Sequence, residues 1–211
     1  MLIVFEGTDG SGLTTQSRLI TEWLREKGYR VHLTKEPTTG VIGRLIREIL
    51  RKKVRVTPQT LALLFAADRA EHTREIREWI EKGEIVISDR YRLSSFAYQS
   101  LNLDLDWIVA INAHSIAPDL TFVLETPAEV SLERIKRRNS ENELFEDVDK
   151  LKRISENFRK AVKAGVEDNV IFIDGNRSIE EVFEEIKAEI EGRILPDGCD
   201  QDRRQSEVVN P

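Results

Sequence analysis

Cysteine, methionine and histidine are nearly missing from this 211-residue chain, which has one Cys, one Met and three His. The lone cysteine, Cys199, sits in a polar stretch, which excludes a disulfide framework and a cysteine-built metal site. No run of 18 apolar residues occurs, so no transmembrane helix is expected. Met1 leads straight into an apolar strand candidate with no leader pattern, so the expectation is a cytoplasmic protein without a membrane partner. An excess of positive charge is lacking too. The net charge of −6 argues against bulk nucleic-acid binding, so any phosphate recognition has to be local. What replaces the scarce residues is Glu, Lys and Arg, a bias that hints at a heat-adapted source.

The most telling absence is one lysine. Gly7 to Thr14 read GTDGSGLT, the outline of a phosphate-cradling P-loop with Leu13 where the lysine belongs. A short apolar run, Leu2–Phe5, precedes it and a helical pattern follows. That order lets backbone N–H groups and a helix N-terminus together form an anion site. The pattern without lysine is weak by itself, arising by chance in about one chain in ten of this length. Its place between a strand and a helix restores much of the signal.

Apolar runs and helical periods then alternate. Thr14–Lys27 is helical and ends at Gly28 as a C′ residue; Tyr29–Thr34 reads as a strand, and Val41–Lys53 as a helix. Thr57-Pro58 is an N-cap with proline at the first helical position, opening a helix to about Lys82. Glu84–Ser88 and Leu120–Glu125 are strands flanking a helical stretch around residues 104–117. Thr126 with Glu129, and Ser178 with Glu181, have capping-box spacing. Phe145–Ala164 is helical and Val170–Ile173 a fifth strand. Residues 192–211 read as a disordered polar tail, leaving a single domain over residues 1–191. Five strands separated by helices predict an α/β fold, a parallel sheet with helices on both faces. Ligands in such sheets bind beyond the carboxyl ends of the strands, which should gather Asp9, Glu36, Asp89 and Arg90.

The chemistry of these strand ends is consistent with that placement. Asp89, closing a buried strand beside a P-loop, suits a Mg²⁺-holding acid, and Thr14 is the loop hydroxyl that would join it. Arg90 can clamp phosphate oxygens with its planar fork; the plainer alternative is a surface Asp–Arg pair. Phe65 lies four residues before Arg69, on one helix face; core packing is the alternative for Phe65. The basic run Glu133–Arg138 is either a solvated helix face or the start of a lid over about residues 134–146.

Several ordered motifs resemble those of the thymidylate kinase family. Ile87–Gln99 (ISDRYRLSSFAYQ) is similar to its signature, Leu63–His72 to its LLFAADR segment, and Lys35-Glu36-Pro37 to its acidic-proline turn, commonly preceded by Arg. Glu6–Gly12 with Thr14-Thr15-Gln16 resembles its P-loop except at Leu13, and Pro127–Arg134 the start of its lid; the likeness spans about residues 1–190. The resemblance implies a P-loop nucleoside-monophosphate kinase fold, phosphorylation of dTMP by ATP with Mg²⁺, and a homodimer. It implies that Gly7, Thr8, Asp9, Gly10, Ser11, Gly12, Leu13, Thr14 and Thr15 hold ATP, with Arg177 flanking the adenine. It places Glu36, Pro37, Phe65, Arg69 and Arg90 around the acceptor, with Phe65 stacked on the base and Arg69 donating to its carbonyl or the nearby phosphate. Tyr98 would pack on the deoxyribose and disfavour a 2′-hydroxyl; Ser95 and Gln99 are either base-edge contacts or helix-capping groups. Asp9 approaches the acceptor phosphate, and Arg134, Arg137 and Arg138 are the lid arginines that would meet the transferring phosphoryl group.

With Gly10 and Leu13, the loop has no cationic side chain. Three readings stay open. One is an active kinase in which Lys35, Arg90 or a lid arginine supplies the missing charge. Another is a nucleotide-binding paralogue with little catalysis, and the third a kinase for a related acceptor such as dUMP. On the first reading, Leu13→Lys should raise kcat.

Overall fold

The structure is a computed structural model and describes residues 1–138 and 147–194. Most of the expected lid (139–146) and the segment from 195 onward lie outside the described residues. The strands β1 (Leu2–Gly7), β2 (Val31–Lys35), β3 (Ile85–Asp89), β4 (Leu120–Glu125) and β5 (Val170–Asp174) form one sheet in the order β2-β3-β1-β4-β5. Every neighbouring pair is parallel. The helices are α1 (Leu13–Glu26), α2 (Val41–Leu50), α3 (Pro58–Glu81), α4 (Arg92–Gln99), α5 (Leu105–Ile111), α6 (Ala128–Arg138), α7 (Val148–Lys163) and α8 (Ile179–Ile194).

Strand alternation divides the interior in two. Ile3 and Phe5 of β1, with Ile85 and Ile87 of β3 and Phe122 of β4, share a buried cluster with Ile20 and Leu24 of α1 and Ile186 of α8. Leu2, Val4 and Val86 face the other way, onto Ile76 of α3 and Tyr91. Val123 joins the side chains of α4, α5 and α7 on that second side. Helices thus cover both faces, as the sequence predicts. Truncating a fully buried member such as Phe122 to alanine would cost about 3–5 kcal/mol.

Helix ends follow their local chemistry where that chemistry is local. Gly28, at φ 89°, closes α1: its N–H donates to the Arg25 carbonyl (2.9 Å), and the Tyr29 N–H reaches the Leu24 carbonyl (3.1 Å). Thr57 caps α3 by accepting from the Thr60 N–H, with Pro58 at the first helical position. Ser178 and Glu181 form a reciprocal capping box.

Three local expectations are corrected. Thr126 does not cap α6; the helix starts at Ala128, so Thr126 stands one residue too early to face the free N–H groups, and Glu129 pairs with Lys152. α5 stops at Ile111, and Asn112 beyond it is turned to a buried arginine. α8 runs on to Ile194, so Gly192 is helical rather than the first residue of a tail.

α4 was not evident from periodicity. Its N-terminus is capped from elsewhere: the Glu6 carboxylate of β1 accepts from the backbone N–H groups of Tyr91 and Ser94, each at 3.0 Å.

Candidate active site

Parallel register sets the strand ends side by side. Asp89 is the Cα partner of both Phe5 in β1 and Lys35 in β2, so three carboxyl ends meet at one edge. The glycine-rich loop leaves β1 there. Gly12 takes φ 104° as the N-cap of α1, a left-handed conformation that a side chain would strain. Gly10 has φ 81°, and a Cβ on it would lie 2.5 Å from the Ser131 carbonyl oxygen, so α6 and the loop fit only with glycine. The first N–H groups of α1 then face the open end of the loop, where they suit an anion. Within the loop, Thr8 is buried and its carbonyl accepts from the Ser11 N–H at 3.2 Å. Ser11 Oγ is buried and has no partner among the described residues. Thr14 and Thr15 are exposed. Leu13 is buried and belongs to the same core as Phe5, Ile20 and Leu124. Where a lysine would extend toward phosphate, this chain adds to its hydrophobic core.

The Thr14 hydroxyl donates to Asp89 Oδ2 at 2.6 Å, and Lys35 Nζ lies 2.8 Å from the same oxygen and 3.4 Å from Thr14 Oγ1. Asp89 Oδ1 is buried with no hydrogen-bond partner among the described residues. An acid and a hydroxyl in contact, with one acceptor spare, fit a small oxygen-seeking cation that keeps waters and phosphates as its other ligands.

Beside this pair lies a second cluster. Arg90, at φ 75°, donates to the Gly7 carbonyl (2.8 Å), Ser94 Oγ (3.0 Å) and Asp9 Oδ1 (2.8 Å). Its guanidinium lies over the Tyr98 ring at 5.2 Å. The Tyr98 hydroxyl accepts from the Asp9 N–H (3.1 Å) and donates to Asp9 Oδ2 (3.2 Å). Beneath them Glu6 is fully buried, accepting also from the Ser94 hydroxyl. Burial pushes the Glu6 carboxyl up to about 7, against the Ser94 hydroxyl, Arg90 and the two backbone donors, which favour the anion.

The β2 turn leads into a third, deeper cluster. Glu36 is joined to Pro37 by a cis peptide bond and is 2% exposed. Its Oε2 accepts from Arg69 Nε (2.8 Å), and Oε1 meets His72 Nδ1 (2.9 Å), whose Nε2 reaches Thr34 Oγ1 (2.8 Å). The rest of the Arg69 fork donates to Ser95 Oγ (3.0 Å), Asn112 Oδ1 and the Tyr91 carbonyl (3.1 Å). Every nitrogen of Arg69 therefore has a protein acceptor, and the expected contact to a base carbonyl requires one of them to give way. Likewise, the Glu36 carboxylate is taken up by Arg69 and His72. Phe65, one turn before Arg69, is only partly buried and belongs to none of the core clusters. Gln99 Oε1 is buried without a partner among the described residues. Pro37, Lys35, Thr14 and Asp89 line a cleft of about 390 Å³, and Arg47 fixes its rim by donating to the Pro37 and Thr38 carbonyls, each at 2.6 Å.

On the far side of the loop, Arg134 Nη1 donates to the Gly175 carbonyl (3.1 Å) and approaches that of Gly10 (3.4 Å). With Ser11, Thr15 and Arg177 it lines a second cavity of about 230 Å³. Arg177 also pairs with Glu185. Arg137 is exposed and pairs with Glu133 on its own helix, and the side chain of Arg138 lies outside the described residues. The sequence reading missed Glu6, His72 and Asn112. Glu6, an acid directly before the loop at the end of an apolar strand, carried the same signal that marked Asp89.

Comparison with known proteins agrees with this geometry. Residues 5–186 match the family model described as thymidylate kinase. A probable thymidylate kinase of Thermococcus onnurineus is 39% identical over 205 residues, covering 92% of this chain and 99% of the relative. One from Pyrococcus abyssi is 40% identical over 200 residues, covering 92% and 97%. Another, from Methanocaldococcus jannaschii, is 44% identical over 188 residues, covering 88% and 93%. With its five-stranded parallel sheet, P-loop and strand-end acids, the chain belongs to the thymidylate kinase family.

Proposed function

We propose that this protein transfers the γ-phosphoryl group of ATP to dTMP, giving ADP and dTDP for deoxynucleotide synthesis in the cytoplasm. The observation that carries this reading is the junction of the Thr14–Asp89 pair and the Asp9–Arg90–Tyr98 cluster at the mouth of the glycine loop. Phosphoryl transfer depends on holding donor and acceptor in line and stabilising charge on the transferred group, so a site built mainly of fixed donors is suited to it.

Thr14 and Asp89 would hold Mg²⁺, which when bound neutralises charge on the donor phosphates. The loop N–H groups cradle those phosphates, while Ser11, Thr15, Arg134 and Arg177 line the cavity that takes the rest of ATP. Arg90 contacts the acceptor phosphate, held in position by Asp9 and Ser94. Phe65 offers a face for the base, Gln99 an acceptor for its edge, and the Tyr98 ring a wall for the sugar. Glu36, Arg69 and Ser95 brace this pocket from beneath. Arg134 and Arg137 stand on α6, beside the loop, where they and Arg138 would meet the transferring phosphoryl group. Val41 and Leu45, one turn apart on α2 and both exposed, are apolar side chains that a homodimer would cover.

The test is ADP release by purified protein with Mg²⁺ and ATP, comparing dTMP, dUMP, dCMP and thymidine. Turnover highest with dTMP is expected; preference for another acceptor would reassign the substrate. The burial of Leu13 favours one rival, a nucleotide binder that lacks catalysis. It predicts a higher melting temperature with nucleotide and no turnover with any acceptor.

A further inference from the structure

We propose that Lys35 replaces the missing P-loop lysine and acts on the donor phosphates from the opposite wall of the site; this rests on the kinase reading above. Arg90 and the α6 arginines Arg134 and Arg137 already have partners. Arg90 is fixed by Gly7, Ser94 and Asp9, with its side chain only 15% exposed. Arg134 rests on the carbonyls of Gly175 and Gly10, and Arg137 pairs with Glu133. Lys35 differs from these three in its position: its ammonium lies within 3.4 Å of the Thr14 hydroxyl, at the start of α1, on a side chain 54% exposed.

Leu13 and Lys35 are complementary departures. The position that should bear the charge has become part of the core, and a compact point charge on a flexible stem stands across the loop, at the end of β2. In the ligand-free chain the ammonium rests on the acid and hydroxyl suited to a divalent cation. Cation binding by Thr14 and Asp89 removes that resting place by like-charge repulsion and frees Lys35 to meet phosphate oxygens. Lys35 is then a metal-released cation, and tight triphosphate binding should need both the divalent ion and Lys35.

The experiment measures calorimetric affinity for ADP and for a non-hydrolysable ATP analogue, with and without Mg²⁺, and separately for dTMP. In the wild type, Mg²⁺ should favour the triphosphate over ADP by tenfold or more. Lys35→Met should abolish that preference and leave dTMP affinity within twofold; Lys35→Arg should keep part of it. In kinetics, Lys35→Met should lower kcat about 10²-fold, and Leu13→Lys in that background should recover at least tenfold. If Lys35→Met instead weakens dTMP and leaves the triphosphate preference intact, Lys35 serves the acceptor and the proposal fails. Because the binding arm needs no turnover, it decides the role of Lys35 even if dTMP proves not to be the acceptor. It also stands if the Leu13→Lys protein does not fold.

Discussion

Arg90 reaches back to Asp9 at 2.8 Å, tying the end of β3 to the glycine loop that follows β1. The two residues are 81 positions apart, and they meet because Phe5 and Asp89 are register partners in adjacent parallel strands. Arg90 is held at φ 75° to make this contact, a conformation that costs about 1–3 kcal/mol and persists only where its surroundings enforce it.

Arg90→Ala should lower kcat/KM by about 10²–10³ if the guanidinium stabilises the transferring group. Arg90→Lys should recover little, since one ammonium cannot meet Gly7, Ser94 and Asp9 together. Steady-state kinetics of both variants check this, with thermal unfolding to confirm that the fold survives. Full activity in Arg90→Lys would show that only the charge matters.

Tyr98 has two separable parts. Its hydroxyl holds Asp9, and its ring is the proposed wall against the sugar. Tyr98→Phe should cut kcat several-fold through a loosened Asp9 while keeping the preference for deoxyribose. Tyr98→Ala should also narrow the ratio of kcat/KM between dTMP and its ribonucleotide counterpart. An unchanged ratio in Tyr98→Ala would remove the ring from sugar selection.

Glu6 makes stability depend on pH in a definite direction. Its folded carboxyl titrates near 7, above the ordinary value of 4.5, because it is buried. The folded state therefore binds the proton more tightly than the unfolded chain. The resulting stabilisation is complete below about 4.5 and is lost as pH rises through about 7. Melting temperatures of the wild type relative to Glu6→Gln should diverge between pH 5 and 8, the wild type losing ground as pH rises. A constant difference would place the Glu6 titration elsewhere.

The apolar surface of α2 offers a test of assembly. Leu45→Asp should shift sedimentation equilibrium from dimer toward monomer. An unchanged mass would move the interface away from α2.

Much of this architecture was legible because its causes are local. Gly28, Thr57-Pro58 and Ser178 with Glu181 end or begin helices through contacts a few residues long, and the short apolar runs of β1 and β3 marked buried strands. α4 was hidden because its cap is Glu6, 88 positions away from Ser94. Thr126 misled for a smaller reason: correct spacing, displaced by one residue from the helix start. Within the site, residue types marked Asp89, Arg90 and Asp9 as strand-end chemistry. What Glu36 and Arg69 do could not be read that way: Glu36 meets Arg69 and His72 of α3, and Arg69 meets Ser95 of α4 and Asn112 just past α5, partners that only folding brings together. Nor did sequence reveal that Leu13 is buried while Lys35 faces Thr14.

On the proposed function, a phosphate loop without its lysine still serves phosphoryl transfer to dTMP. The most direct test is product formation: full-length protein, ATP, Mg²⁺ and dTMP, with dTDP and ADP separated and quantified over time. Equal amounts of dTDP and ADP, formed only when dTMP and Mg²⁺ are both present and reduced about 10²-fold in Asp89→Asn, are the expected result. No dTDP above background, from protein that ATP and dTMP nevertheless stabilise against heat, would contradict it.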